Sequence, residues 1–374
     1  MNIAMRCAVL SLGLAGCLDL NALQSGANPP DMALPVDMAD PQMDMAQPPA
    51  DMATPDMSNP DMTTPFAWTN VTPATAPGKL NAISGFVGGG ITTVYAVGAA
   101  ATVLKSANGA AFAPAASPAM GAMEFTALFI RDASNLWVAD ANGKVFTSTD
   151  AAAMAANWTD KMTGSAIPQR GIFGRAGADS VLVAGDDTTR GLFLNPSSGT
   201  AWSATVSACT GGVKTTGVWG SAGYYLFVGE GLNAAKGPNP AMACNSLSNM
   251  DLVGSANFVA ASGVDDQNAF LLTADGQLGH TDLTAANNKM FRRGRVMNAT
   301  FTALWVRNQN EVWVVGSLAG SPKVWQWVTG SLNMTDRTGS LSAAGYSLSG
   351  IWGDGAGSLW IIGNNGGTGA IFKH

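Results

Sequence analysis

From residue 80 to the C-terminus the chain alternates short apolar runs with polar, glycine-rich turns, and one run recurs about every 44 residues. Its strongest copies are Leu136-Trp137-Val138-Ala139, Val312-Trp313-Val314-Val315 and Leu359-Trp360-Ile361-Ile362. Weaker copies stand at Val94-Tyr95-Ala96-Val97, Val181-Leu182-Val183-Ala184, Tyr225-Leu226-Phe227-Val228 and Ala269-Phe270-Leu271-Leu272. The second residues of these seven runs are 42, 45, 44, 44, 43 and 47 apart. A fixed period of this size means one supersecondary unit per repeat. Four short strands per unit predict an all-β chain, a seven-bladed β-propeller over residues 66–374.

Within each repeat an approach strand carries a small, an apolar and an aromatic residue in turn. Examples are Ala127-Leu128-Phe129, Gly171-Ile172-Phe173, Gly217-Val218-Trp219, Ala303-Leu304-Trp305 and Gly350-Ile351-Trp352. Such residues suit crowded inner strands, where blades meet near the axis. Third strands follow the aromatic run, as at Val103-Leu104-Lys105, Val145-Phe146-Thr147, Leu192-Phe193-Leu194, Val324-Trp325-Gln326 and Ile371-Phe372-Lys373. Asn157-Trp158-Thr159 and Ala201-Trp202-Ser203 read as outer strands. Asn142-Gly143, Asp275-Gly276 and Asn365-Gly366 predict tight type I′ turns between second and third strands. The corresponding links at Asp186–Arg190, Glu230–Pro240 and Ser317–Pro322 read as longer loops. The last repeat ends without a fourth strand. The outer-strand pattern of Ala67-Trp68-Thr69, ahead of the first repeat, predicts that this segment closes the ring against the final strand.

Composition changes the picture at the N-terminal end. Of 374 residues 47% are hydrophobic and 12% charged, with 45 glycines, as a turn-rich β chain requires. The formal net charge of −6 is carried by residues 18–65, which hold eight Asp and neither Lys nor Arg. Residues 66–374 are nearly neutral, with 18 basic and 17 acidic side chains. Without a broad basic face to release phosphate counterions, no nucleic-acid partner is expected. In residues 18–65, Asp-Met recurs six times among nine prolines. Frequent proline blocks helix and sheet, and unpaired carboxylates repel, so a disordered tether is expected, reaching roughly 40 Å as a flexible coil. Its seven thioethers are soft ligands of a kind Cu(I) accepts, but their spacing sets no three at a fixed geometry, so a plain spacer is expected.

Residues 1–16 read as an export signal: Arg6, then the apolar run Cys7–Leu14, too short to remain as a membrane-spanning helix. The sequence Leu14-Ala15-Gly16-Cys17 resembles the lipobox of bacterial lipoproteins. That resemblance implies lipidation of Cys17, which becomes the mature N-terminus and holds the chain on a membrane by two or three acyl chains. Leu18 at the next position implies the outer membrane by the enterobacterial sorting rule. Ser106-Ala107-Asn108-Gly109-Ala110-Ala111-Phe112 and Ser148-Thr149-Asp150, followed by Asn157-Trp158, are similar to degenerate Asp-boxes of BNR propeller repeats. In that family the Asp-box is a structural turn and has no catalytic part.

Residues of catalytic kinds are scarce. The two histidines are His280 and His374, and no His-Glu-x-x-His, Cys-x-x-Cys or Gly-x-Ser-x-Gly pattern appears. His280 falls on a third strand and reads as a satisfied strand histidine. Asp186-Asp187, Asp265-Asp266 and Gly353-Asp354-Gly355-Ala356-Gly357 fit turns better than acid–base pairs or a calcium loop. Cys209 and Cys244, an even pair in an oxidising compartment, predict a disulfide between consecutive blades. The basic cluster Lys289, Arg292, Arg293 and Arg295 follows an outer strand and reads as charge protecting a sheet edge. The reading is therefore a membrane-anchored, non-catalytic, monomeric binding module of the cell envelope, with no cofactor or metal, recognising a protein or glycan through loops on one propeller face. An envelope assembly factor and a degenerate glycoside hydrolase or lyase are the alternatives. The candidate ligand-binding residues are Asp187, Arg190, Glu230, Arg292 and Arg293.

Overall fold

Each aromatic-apolar run forms the second strand of an antiparallel sheet, between an inner strand and a third. The structure, a computed structural model, describes residues 66–117, 123–150, 158–161, 166–175, 181–186, 192–195, 203–205, 213–238, 244–343 and 345–374. Cys17, the tether, Asp187, Arg190 and Cys209 lie outside the described residues. Among those described, the strands make seven sheets. Their inner strands are Leu80–Gly88, Phe125–Asp132, Gln169–Gly174, Thr215–Gly220, Phe258–Asp265, Ala299–Asn308 and Ser347–Gly353, here blades 1 to 7. Each inner strand packs against the next, and blade 7 returns to blade 1, closing a ring around a central funnel. This is an all-β propeller of four-stranded blades, blade 5 carrying Ser248–Asn249 as a fifth strand.

The second strands show why the apolar runs are continuous. In Ile91–Gly98 and Leu359–Asn365 five or more successive residues are buried, with no alternation, because each sheet is covered on both faces by neighbouring blades. The hydrophobic core is accordingly divided among the blade interfaces. Tyr95 and Val97 of blade 1 meet Phe125, Leu136 and Val138 of blade 2. Trp313 and Val315 of blade 6 meet Ile351 and Ile361 of blade 7.

Aromatic residues of the inner strands fill the gap to the next blade because glycine leaves room there. A Cβ on Gly353 would stand 2.6 Å from the Trp305 ring, one on Gly263 2.7 Å from Trp219, and one on Gly85 2.8 Å from Trp352. At Gly353 the ring itself excludes a side chain, and at Gly85 and Gly263 the cross-strand carbonyls of Thr93 and Asn268, at 2.5 and 2.6 Å, exclude it together with the ring.

The ring closes from the N-terminal side. Thr69 pairs with Lys373 and Asn70 with Phe372, placing Thr69–Asn70 as the outer strand of blade 7. The paired residues fall slightly later than Ala67-Trp68-Thr69. Trp68 is instead an anchor, 7% exposed, with its Nε1 donating to the Arg337 carbonyl at 3.0 Å. Phe66 stacks on His374 with centroids 3.6 Å apart.

Several turn expectations are corrected. Gly143 (φ 83°) and Gly276 (φ 88°) are left-handed, but Asn142 and Asp275 before them are not, so neither link is type I′. Asp140 pairs with Lys144 across a three-residue loop closed by the glycine. In blade 7 the I′ pair is Gly366-Gly367, at 59° and 96°, and Asn365 is the last strand residue. The link in blade 6 is a tight Ala319-Gly320 turn, with Ser317 and Pro322 already paired in the strands on either side. In blade 4 the long loop is also absent: Glu230–Leu232 is one 3-10 turn and Ala234–Gly237 is the third strand.

Candidate functional site at the funnel mouth

One irregularity recurs in every blade at the same position. The pairing of inner with second strand slips by one residue at Asn81, Thr126, Arg170, Thr216, Val259, Thr302 and Ser349. A bulge leaves its extra residue out of the ladder and re-aims the side chain. Here the seven bulged residues ring the funnel, and five reach sideways to the blade that follows. Asn81 donates to the Phe125 carbonyl at 2.8 Å, Thr126 to Gln169 at 2.6 Å and Thr216 to Phe258 at 2.7 Å. Thr302 donates to Leu348 at 2.9 Å, and Ser349 closes the circle on Leu80 at 2.9 Å. Arg170 and Val259 interrupt this ring. The next residue toward the interior is Ala or Gly in all seven blades: Ala82, Ala127, Gly171, Gly217, Ala260, Ala303 and Gly350.

Above the ring lies the funnel mouth, a cavity of about 660 Å³ on the face of the second-to-third-strand turns. Below it the axis narrows to about 230 Å³ between the Ala/Gly residues and an apolar tier that includes Ile83, Leu128, Ile172 and Ile351. A ligand therefore meets polar groups at the mouth and bare backbone and methyl groups beneath.

The lip of the mouth is built from the residue two before each bulge, the bulged residue itself and the residue at the end of each second strand, the first and last tied by backbone hydrogen bonds. Examples are Ala99 to Lys79 at 2.8 Å, Ala141 to Glu124 at 2.9 Å, Asp186 to Pro168 at 3.1 Å and Glu230 to Lys214 at 3.2 Å. Charge is confined to one arc of this lip. Among the described residues, blades 1 to 4 supply Lys79, Glu124, Arg170, Asp186, Lys214 and Glu230 at these positions. Blades 5 to 7 supply Asn257, Val259, Ala274, Thr302, Ser317, Ser349 and Asn364, with no charge.

Within the charged arc, Asp186 is shared by Arg170 at 2.9 Å and Lys214 at 3.6 Å. The hydrogen bond from Arg170 holds the Asp186 carboxyl below the usual carboxylate range, against the opposing effect of partial burial. Glu124 receives Lys79 at 3.7 Å and Asn81 at 3.2 Å. Glu230 lines the same cavity, and its carboxylate has no cation among the described residues. Gln169 is fully buried at the funnel wall. Its Nε2 donates to the Ile167 carbonyl at 2.6 Å, and its Oε1 accepts nothing.

Of the five candidate ligand-binding residues, the mouth gathers Glu230. Arg292 and Arg293 belong to the outer strand Lys289–Arg295 of blade 5, which corrects the expectation that the basic cluster follows that strand. They lie three strand spacings from the inner strand, about 14 Å. The sequence places them after the outer strand; in the fold they are part of it. Here the strand is an outer one, covered at one end by Ser248–Asn249. The Arg292 backbone N–H donates to Asp251, and the Arg293 carbonyl accepts Trp327 Nε1 at 3.0 Å. His280 is the satisfied strand histidine expected. Its Nδ1 faces the Arg293 guanidinium at 3.3 Å and its ring meets Phe270 edge-on. Burial first, then Arg293, lower its pKa to about 4.

Of the aspartates proposed as turn residues, Asp354 and Asp265 act as such, whereas Asp186 pairs with cations and Asp266 accepts the Gly223 N–H of the preceding blade at 3.2 Å. Asp354 Oδ1 accepts the backbone N–H groups of Ala356, Gly357 and Ser358, and Asp265 those of Gln267 and Asn268. Among the described residues, no group of three His, Cys, Asp or Glu side chains is placed to hold a metal ion, and no helix is long and apolar enough to cross a membrane.

No family model matches the chain, and no curated protein matches it. Solved structures do resemble it. YCF48 bound to D1 peptide superposes with a TM-score of 0.60 at 15% identity, covering 83% of this chain and 97% of that one. YCF48 from Cyanidioschyzon merolae gives 0.60 at 16%, covering 82% and 98%. The WD40 β-propeller domain of Doa1 gives 0.57 at 11%, covering 82% and 95%. At such identities the likeness is one of fold.

Proposed function

We propose that the chain is a non-catalytic binding module of the bacterial cell envelope, holding a protein partner at its funnel mouth. The observation that carries this reading is the lip, where a rigid ring of bulges presents polar side chains around an open cavity. Rigid strands holding polar groups around a concavity suit recognition. A propeller of similar fold has been solved with a peptide bound, which supports a protein as the occupant. Glycoside cleavage needs one carboxylic acid kept protonated opposite a second carboxylate. At this mouth Asp186 is biased the other way, toward ionisation, by its cations.

The reading extends to residues outside those described. Cys17 is proposed as the lipidated N-terminus of an outer-membrane lipoprotein, residues 17–65 as its tether, and Asp187 and Arg190 as further lip residues of blade 3. Cys17→Ser should move the protein from membranes into the soluble fraction, and unchanged partitioning would refute the anchor. To test the site, the full chain is used to recover partners from native envelope extract. Glu230→Ala and Arg170→Ala should each reduce recovery of the same partner with little change in melting temperature. Arg292→Ala, on the blade edge, should not. Equal recovery by the two funnel variants would overturn the assignment.

A further inference from the structure

Two groups at the funnel mouth lack partners, and both lack the same kind. Glu230 stands where the charged arc meets the neutral arc. Its neighbour Lys214 is drawn to Asp186 instead, so the Glu230 carboxylate is left without a cation among the described residues. Gln169 is 0% exposed and its amide is oriented by the Ile167 carbonyl, which leaves Oε1 as a buried acceptor with no donor. An unsatisfied buried acceptor is destabilising, and because Oε1 is closed to solvent, a ligand N–H reaches it only when the Gln169 side chain turns toward the cavity. Among the described residues, the cations of the mouth are committed: Arg170 and Lys214 to Asp186, Lys79 to Glu124. The described charges of the mouth balance, three cations against three carboxylates, but Asp186 holds two of the cations and Glu230 none.

We infer that the funnel mouth captures a basic side chain, Lys or Arg, projecting from the partner protein, with Glu230 as its counter-ion and Gln169 Oε1 as a further acceptor. The flanking residues of that segment lie over blades 5 to 7, where Asn257, Thr302 and Ser349 offer hydroxyl and amide groups to uncharged backbone. Below the bulge ring the axis narrows between Ala, Gly, Ile and Leu residues, where a second charged group would be desolvated. One basic residue among neutral neighbours is the matching pattern. This inference rests on the funnel-mouth reading above.

The test titrates the full chain with fluorescein-labelled pentapeptides of sequence Gly-Ser-X-Ser-Gly, where X is Arg, Lys, Gln or Glu, reading polarisation. The Arg and Lys peptides should bind about tenfold or more tightly than the Gln and Glu peptides, the effect of one charge-assisted hydrogen bond. Glu230→Gln should abolish that preference with the melting temperature unchanged, and Gln169→Leu should weaken the Arg peptide further than the Gln peptide. Glu230 is at the surface, so its variant keeps the test valid even if Gln169→Leu fails to fold. Equal or tighter binding of the Glu peptide, a preference that survives in Glu230→Gln, or no saturation by any peptide at millimolar concentration would overturn the inference. If funnel variants still lose the envelope partner while basic peptides fail to compete for it, basic recognition falls and the binding-module reading stands.

Discussion

At the scale of single residues, two devices join neighbouring blades, and each can be removed alone. Gly353 gives its space to the Trp305 ring, so Gly353→Ala forces that ring or a strand to move. Overpacking of this kind costs about 1–3 kcal/mol, and a urea melt should show it. Thr216→Val keeps the shape but removes the donor to the Phe258 carbonyl, with an expected loss of about 1 kcal/mol. A loss at neither position would mean that the blades are held by apolar contact alone. His280 adds a pH dependence. Its folded pKa of about 4 lies below the ordinary 6.5, so the native state favours the neutral ring. Its contribution to stability is full above about pH 6.5 and is lost as the pH falls through about 4, because the unfolded chain takes up the proton first. His280→Gln should flatten the decline in stability over that window. An unchanged slope would place the titrating group elsewhere.

At the scale of elements, the second strands, the small-apolar-aromatic inner strands and the N-terminal closing segment were legible in the sequence, because burial between two blades leaves an unbroken apolar run. What escaped was pairing detail. A bulge is a one-residue slip between strands, and its trace is a polar residue ahead of Ala or Gly, as in Thr126-Ala127 and Thr216-Gly217, a pattern common to any strand entrance. Turn types were misjudged for a related reason: Asn142-Gly143 fits both a two-residue and a three-residue loop, and the register of the flanking strands decides. The closure itself is testable. Trp68→Ala removes a buried anchor at the joint between the chain ends and should cost about 3–5 kcal/mol. Deleting residues 66–71 should lower the melting temperature sharply, and deleting residues 20–60 should leave it unchanged. Equal effects of the two deletions would contradict the pairing of Thr69–Asn70 with the last strand.

At the scale of the whole molecule, one half of the funnel lip is charged and the other is not, and the period alone could not reveal this. Glu230 was found from the sequence because it follows an apolar strand. Arg170 and Gln169 were missed because they stand in positions that are Thr, Ser, Asn or apolar in other repeats, and Lys214 because the position it shares with Lys79 and Glu124 changes its residue type from blade to blade. A Cys209–Cys244 disulfide would restrain blades 3 and 4, where the charged arc lies, and Cys244 is disulfide-bonded. Closing a loop of about 36 residues contributes roughly 3–4 kcal/mol in the chain-entropy model. Cys209→Ser should therefore lower stability by that order and leave one thiol open to alkylation, whereas a fully blocked Cys244 in that variant would disprove the pairing. The central claim is that a partner docks on the funnel mouth. The direct measurement is photo-crosslinking in native envelope extract, with benzoylphenylalanine placed at Asn257 on the lip or at Val87, which is exposed on a hairpin of the opposite face. A discrete protein adduct from Asn257 and none from Val87 is the expected result. Adducts from Val87 alone would place the binding surface on the opposite face and contradict the claim.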